Sequence, residues 1–164
     1  NNGLVGESYN PVFFSCGANK GQDFIETGAP EILEGMYGTV VATPQNETFT
    51  KNYVKNFGQA PKFPEVANTY DIIYLLSYAM MSAEKCGPAD IKKHLQDVSR
   101  DGIKIGVNEF AKAMPLIQQG KDIDYDGAAG NIAFDKHGDV SAGAFEIWRI
   151  ADGKFKTIEM RSFE

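Results

Sequence analysis

The chain has 164 residues, of which 43% are hydrophobic and 23% are charged, and its net charge is −6. This length suits one domain or two small lobes, and the composition is typical of a globular protein. The acidic balance and the scattered basic residues argue against a nucleic-acid partner or an anionic-membrane surface, because both require concentrated Lys and Arg.

The first part of the chain predicts alternating strands and helices. The apolar triplet Val12–Phe14 predicts a short buried strand, followed by a loop of small residues at Cys16–Gly21. A helix is expected to begin near Gln22, and Glu31–Gly35 is expected to form a turn. The β-branched run Tyr37–Ala42 then predicts a second strand. This order of elements indicates an α/β layer architecture.

The middle of the chain predicts helices. Thr48–Phe57 is amphipathic, and Gly58 follows it as a stop signal. Glu65–Lys85 predicts the longest helix. Its central run Ile72–Met81 is apolar on almost every side, so we expect neighbours to bury several of its faces. Two shorter helices are expected downstream, at Ala89–Val98 and Asn108–Gln119.

The last part of the chain predicts a loop and two turns. Gly120–Gly130 is expected to be a polar, acidic loop, and a polar turn is expected after the apolar run that ends at Phe134. The pair Asp152–Gly153 lies between the strand-like runs Phe145–Ile150 and Lys154–Ile158. An Asp-Gly pair in this setting predicts a β-hairpin, because a type I′ turn needs positive φ at both central residues.

The acidic loop contains the start of a calcium-binding pattern. Asp122, Asp124, Asp126 and Gly127 match its opening, because carboxylates at alternate positions can converge on a hard cation when a Gly permits the turn. The twelfth position of such a loop should be a bidentate Glu, and here it is Ala133. A solvated acidic loop is therefore the better interpretation, and we predict no metal site and no cofactor.

The histidines and cysteines show no pattern of a catalytic centre. His94 is expected on the polar side of a helix and His137 in a turn, and neither has a nucleophile or carboxylate partner at a motif spacing. Thiol catalysis would require a Cys16–His pair assembled from distant sequence. A disulfide between Cys16 and Cys86 stays open. We predict no catalytic residue and a protein that is not an enzyme.

Two positions are more suggestive of ligand binding. Cys16 ends a predicted strand and opens a Gly-containing loop, and ligands of α/β sheets bind at the carboxyl ends of strands. Cys16 could equally be an inert core residue, since free cysteine packs as a small hydrophobe. Glu65 begins the longest helix, where its carboxylate either complements the helix dipole or holds a ligand ammonium group. The sequence leaves both interpretations open at each position.

Four segments, taken in chain order, match the signatures of a known family. The segment from Asn10 to Gly38 ends in EG-x-Y-G, and Asn68–Leu76 is similar to an A-Y-D-A-x-x-L-L helix. Gly120–Gly130 fits a subgroup with an extra helix. The closing segment GNIAFDKHGDVSAGAFEIWRIADGKF contains F-D-x-x-G-D followed by W-x-x-x-D-G-K. Together they resemble the type I periplasmic solute-binding proteins of ABC importers, in the branched-chain amino-acid-binding group.

The resemblance implies an α/β fold of two lobes that enclose a small ligand by hinge closure. Residues 1–43 would belong to the second lobe, residues 44–141 to the first lobe with its long helix, and residues 142–164 to a closing β-hairpin of the second lobe. Family members are much longer, so we expect the carboxyl-terminal part only, lacking most of the first lobe. Its uncovered apolar helices would drive self-association. The implied hinge residues are Thr43, Pro44, Asp139 and Ser141.

The resemblance also implies a ligand site. Its residues in this chain would be Cys16, Gly17, Ala18, Asn19, Glu65 and Asn68. Amino-acid-binding relatives place an acidic residue at the position of Cys16, where it takes the ligand's ammonium group. We therefore hypothesise that Glu65 supplies this carboxylate from the other lobe. A carboxylate or aromatic acid without an amine is the alternative ligand.

The implied function is non-catalytic binding of a small polar solute, an amino acid or related carboxylate, for delivery to the membrane permease of an ABC importer. It implies a periplasmic or extracellular protein whose full-length form carries a signal peptide or a lipid anchor. A ligand-sensing module of a receptor or regulator is the second interpretation, and a small thiol- or metal-dependent enzyme is the third. Flanking sequence would separate the first two, since a sensor would continue into a signalling domain.

Overall fold

The computed structural model describes residues 9–42, 46–63, 65–85 and 87–163, and its class is α/β as predicted. The strands are β1 (Phe14–Ser15), β2 (Tyr37–Ala42), β3 (Ile103–Ile105), β4 (Ile123–Gly127), β5 (Gly130–Asn131), β6 (Gly143–Ala151) and β7 (Lys154–Phe163). The helices are α1 (Gln22–Thr27), α2 (Pro30–Leu33), α3 (Glu47–Phe57), α4 (Glu65–Ser82), α5 (Pro88–Asp97) and α6 (Phe110–Gln118). The described residues form two compact units: unit 1 contains residues 9–42 and 144–162, and unit 2 contains those between 46 and 143 together with Phe163.

Unit 1 is built on a four-stranded sheet in the order β1-β2-β6-β7. β2 pairs in parallel with β1 and antiparallel with β6. Side chains alternate along β6, so Trp148 and Ile150 share one face of the sheet and are buried there. They pack with Ile25 of α1, Leu33 of α2 and Val40 of β2. The core of unit 1 therefore lies on the face that α1 and α2 cover.

The opposite face of this sheet is largely uncovered by the described residues. Val41 pairs with Phe145 on that face, and both side chains are more than two-fifths exposed, at 49% and 41%. Phe14 is 72% exposed, and its ring stacks on Tyr37 with the centroids 5.7 Å apart. The prediction of a buried strand at Val12–Phe14 is therefore wrong, because β1 lies at an edge of the sheet with its aromatic side chain on the uncovered face.

Local signals predicted the hairpin of unit 1 correctly. Asp152 and Gly153 have φ values of 56° and 67°, the positive values that a type I′ turn requires. The predicted turn at Glu31–Gly35 is confirmed only at Glu34 and Gly35, because a short helix occupies Pro30–Leu33. Proline favours the first position of a helix, where its missing N–H costs no hydrogen bond.

Unit 2 contains a sheet in the order β3-β4-β5 and the helices α3 to α6. β3 and β4 are parallel and are connected through α6. The predicted acidic loop at Gly120–Gly130 is wrong, because Ile123–Gly127 is a strand. Its acidic residues alternate with Ile123 and Tyr125, which are fully buried against α4 and α6.

The helices of unit 2 lie close to their predicted positions. The side chain of Asn46 caps α3 by accepting a 3.1 Å hydrogen bond from the amide of Phe49. Gly58 ends α3 in the left-handed conformation, with a φ of 73°. Among the residues that the structure describes, no helix is both long and apolar enough to cross a membrane.

Helix α4 is buried on one face only. Its buried side chains form a single stripe at helical spacing: Ala67, Asp71, Leu75, Tyr78 and Ala79. Its other face carries four apolar side chains that are 40–60% exposed: Ile72, Ile73, Leu76 and Met80. The prediction that neighbours bury several faces of this helix is therefore wrong for the described residues, because the core of unit 2 packs against the one stripe.

Candidate functional site

The Cys16–Asn19 turn follows β1 directly, as the sequence predicts. Cys16 is exposed, and Gly17–Asn19 forms one turn of 3₁₀ helix. The amide of Asn19 donates to the carbonyl of Cys16 at 3.2 Å, and the Asn19 side-chain amide donates to Ser15 Oγ at 2.8 Å. The turn therefore presents a thiol and backbone groups at the carboxyl end of a strand, where α/β sheets bind ligands.

Gly17 brings this turn close to the sheet. A Cβ atom added at Gly17 would lie 2.9 Å from Cγ2 of Val40 on β2. Carbon atoms do not approach so closely without displacement, so a larger residue would lift the turn from the strand. Gly17 therefore helps to fix the position of the turn.

A charged pair lies next to the turn and was not predicted. Lys20 Nζ forms an ion pair with Glu146 Oε2 on β6, and Thr157 Oγ1 donates to Glu146 Oε1 at 2.6 Å. Burial of Glu146 opposes its ionisation, but the hydrogen bonds from Lys20 and Thr157 hold the pKa of the carboxyl below its ordinary value. Glu146 shares a strand face with Trp148, and that alternation was the signal that its charge needs a partner.

The other two predicted ligand residues lie in unit 2. Glu65 is the first residue of α4 and is exposed, and Asn68 is half-buried one turn later. Residues three apart are neighbours on a helix surface, so the two side chains occupy one end of α4. The structure thus places Glu65 and Asn68 in unit 2 and the Cys16–Asn19 turn in unit 1.

The predicted hinge residues are only partly described. Thr43 and Pro44 lie outside the described residues. The carbonyl of Asp139 accepts a 2.8 Å hydrogen bond from the amide of Asp135, whose carboxylate accepts from the Asp139 amide at 3.0 Å. Ser141 donates to the carbonyl of Ala133 through both its amide and its hydroxyl. Asp139 and Ser141 therefore belong to a closed, hydrogen-bonded turn.

Asp71 is the most buried carboxylate in the described residues, and it was not predicted from the sequence. Its side chain accepts hydrogen bonds from the Tyr125 hydroxyl at 2.8 Å and from the amides of Ala128 and Ala129 at 2.7 Å each. Burial raises the pKa of Asp71, while the hydrogen bonds from Ala129, Ala128 and Tyr125 oppose the rise. The signal was an acid at helical spacing from Ala67 and Leu75, because a charge on the buried stripe of a helix requires partners.

The turn that Asp71 holds is also held by Asn46. The side-chain amide of Asn46 donates to the carbonyl of Gly127 at 3.2 Å. A Cβ atom added at Gly127 would lie 2.5 Å from the Asp71 carboxylate, so only glycine allows this approach. The network stabilises unit 2 and leaves no carboxylate oxygen free for a ligand.

Several other titratable groups of unit 2 form ion pairs. His94 Nδ1 lies 3.0 Å from Asp97, and Lys104 pairs with Asp124 at 2.7 Å. Asp124 lies on the extended strand β4, where alternate residues are spaced along the sheet and do not wrap around a cation. Within the described residues, no group of three or more His, Cys, Asp or Glu side chains could hold a metal ion.

Comparisons with known proteins place these units in a family. A family profile described as "Receptor family ligand binding region" matches residues 14–153. A leucine-binding protein from Thermotoga maritima superposes with a TM-score of 0.59 and 18% identity, over 93% of this chain and 38% of that chain. An ABC transporter substrate-binding protein from Desulfitobacterium hafniense, in complex with Leu, superposes with a TM-score of 0.48 and 20% identity, over 78% of this chain and 32% of that chain. A search of curated proteins finds no match.

These findings confirm the predicted resemblance and fold class. The profile covers both units and most of the chain. The superposition on the leucine-binding protein shows the same fold, although this chain spans only 38% of that protein's length. The chain belongs to the family of receptor ligand-binding regions, and its fold is part of the type I periplasmic-binding fold.

Proposed function

We propose that this chain takes part in non-catalytic binding of a small polar solute, an amino acid or a related carboxylate, for delivery to the permease of an ABC importer. The observation that carries the proposal is the Cys16–Asn19 turn at the carboxyl end of β1, in a chain of a ligand-binding family. A structural neighbour is described as a leucine-binding protein, which supports an amino acid as the solute. The protein would act outside the cytoplasm, in the periplasm or extracellularly.

The proposal assigns a role to each part of the site. The Cys16–Asn19 turn offers backbone and side-chain groups to the polar part of the solute. Glu65 takes the ammonium group, and Asn68 contributes a neutral amide from the same end of α4. We propose Thr43, Pro44, Asp139 and Ser141 as the hinge residues, with residues 1–43 and 142–164 assigned to one lobe and residues 44–141 to the other.

Glu65→Gln tests the ammonium role. In the natural full-length protein we expect the substitution to weaken leucine binding roughly tenfold or more, because a hydrogen bond to a charged group is lost. Isothermal titration calorimetry measures the change. Binding of 4-methylpentanoate, which is leucine without its ammonium group, should not weaken.

Glu47→Gln is the matched control for this prediction. Glu47 is an exposed acid at the first position of α3, as Glu65 is at the first position of α4. Its replacement should leave leucine affinity unchanged. Equal affinity of Glu65→Gln and the parent for leucine would refute the role of Glu65 and favour a ligand without an amine.

The family description favours a second candidate function. A receptor ligand-binding region points to a ligand-sensing module that does not deliver its solute. The natural full-length protein separates the two functions. Co-purification with a permease supports transport, whereas continuation of the chain into a signalling domain supports sensing.

We also propose that the uncovered face of α4 binds a second copy of this chain. Ile73→Lys together with Leu76→Lys should raise the dissociation constant of the dimer at least roughly tenfold. The reason is that two apolar side chains buried between the copies are replaced by charged ones that stay hydrated. Sedimentation velocity over a range of concentrations measures it. Lys92→Glu with Lys93→Glu, on the exposed side of α5, is the control. A parent chain that stays monomeric at every concentration contradicts the proposal.

A further inference from the structure

Glu146 occupies an unusual position for a charged residue. It lies on β6, two residues before Trp148 and four before Ile150, so all three share the covered face of the sheet. Only 14% of its side chain is exposed. A carboxylate on a packed face is strongly unfavourable unless hydrogen bonds and an opposite charge compensate it.

Two residues supply this compensation from different parts of unit 1. Thr157 of β7 donates its hydroxyl to Oε1 at 2.6 Å. Lys20 pairs with Oε2, and its own side chain is only 25% exposed. The backbone amide of Lys20 also donates to the carbonyl of Gly17 at 3.0 Å. Lys20 therefore closes the 3₁₀ turn with its backbone and neutralises Glu146 with its side chain.

We infer that Lys20 and Glu146, supported by Thr157, are positioning residues for the Cys16–Asn19 turn. The turn cannot unwind without withdrawing Lys20 from a carboxylate that has little access to water. The same pair holds the Lys20 ammonium against β6, so the turn presents uncharged groups to a solute. This inference rests on the proposed function for the role of the turn in binding, although its effect on the turn is measurable alone.

Cys16 provides a reporter within the turn. In a Cys86→Ser background, Cys16 is the single thiol of the chain. The pH profile of its alkylation by iodoacetamide reports the thiolate fraction, which responds to a nearby ammonium group. Glu146→Gln should release Lys20 and lower the midpoint of the profile by about half a pH unit or more. Glu146→Gln combined with Lys20→Met removes the released charge and should abolish the downward shift.

A charge exchange tests positioning against simple stabilisation. Lys20→Glu with Glu146→Lys should restore the parent profile more closely than either single exchange, because the pair re-forms with opposite polarity. Profiles of Glu146→Gln and Lys20→Met that match the parent overturn the inference, even if both variants lose thermal stability. Glu159→Gln, an exposed acid of β7, is the control and should leave the profile unchanged.

Leucine titrations on the same variants separate the inference from the proposed function. A shifted Cys16 profile with weaker leucine binding supports both. A shifted profile with unchanged leucine binding supports the positioning role and refutes the role of the turn in binding. An unshifted profile overturns the positioning role, whether or not the parent binds leucine.

Discussion

Asp71→Ala is expected to lower the free energy of unfolding of unit 2 by about 3 kcal/mol or more. The substitution leaves the Tyr125 hydroxyl and the amides of Ala128 and Ala129 without their acceptor. Each buried unsatisfied donor costs roughly 1–3 kcal/mol. Urea denaturation followed by near-UV circular dichroism of the tyrosines, five of seven of which lie in unit 2, measures the loss there. Fluorescence of Trp148, the single tryptophan, reports unit 1 in the same samples.

Graded variants show that hydrogen bonds cause this loss. Tyr125→Phe removes one donor together with its need for a partner and should cost about 1 kcal/mol. Asp71→Asn keeps one acceptor and should fall between Tyr125→Phe and Asp71→Ala. Asp126→Ala removes an exposed acid of β4, the strand that carries Tyr125, and should change the free energy of unfolding by less than about 0.5 kcal/mol. If Asp71→Ala is as stable as Asp126→Ala, the network does not stabilise unit 2.

Trp148→Ala is expected to destabilise unit 1 by roughly 3–5 kcal/mol, the range for deleting a large buried aromatic side chain. Trp148 is fully buried, and its ring meets Phe155 edge to face with the centroids 5.0 Å apart. Its indole Nε1 has no hydrogen-bond partner among the described residues, so the loss comes from packing. Hydrogen exchange of the amides of β2 and β6, followed by mass spectrometry, measures the loss without tryptophan fluorescence.

Gly38 provides an independent check of this packing. A Cβ atom added at Gly38 would lie 2.1 Å from Cζ2 of Trp148. Gly38→Ala should therefore cost about 1–3 kcal/mol in the parent chain. In a Trp148→Phe background the smaller ring leaves room, so the added cost of Gly38→Ala should be lower. Strictly additive costs would contradict the close contact between these two residues.

Features that depend on neighbouring residues were predictable from the sequence, and features that depend on distant partners were not. Asp152–Gly153 fixes its turn locally, and Gly58 ends α3 through its own backbone freedom. The burial of α4 was mispredicted, because burial is set by the elements that pack against a helix. Strand β4 was missed because its acidic composition concealed an alternation of period two, which Ile123 and Tyr125 reveal.

The candidate site shows the same division. The Cys16–Asn19 turn was predictable because it follows an apolar run and contains Gly17. Lys20 and Glu146 are separated by 126 positions in the chain, so no motif spacing connects them. Asp71 and its turn partners are separated by more than fifty positions. Both networks nevertheless left a signal in the sequence, since Glu146 and Asp71 are acids at positions where the strand or helix period predicts a buried side chain.

The register between β2 and β6 has a consequence for the order of folding. Ala42 pairs with Ala144, so the sheet of unit 1 forms only after the chain between them has been brought into a loop. The parallel pair of β3 and β4 joins Ile103 to Ile123, and the loop to be closed is far shorter. Because closing a long loop costs more entropy and slows folding, the core of unit 2 should form early. Once unit 2 has folded, the effective loop between Ala42 and Ala144 is shorter, so the sheet of unit 1 then forms at a lower entropic cost.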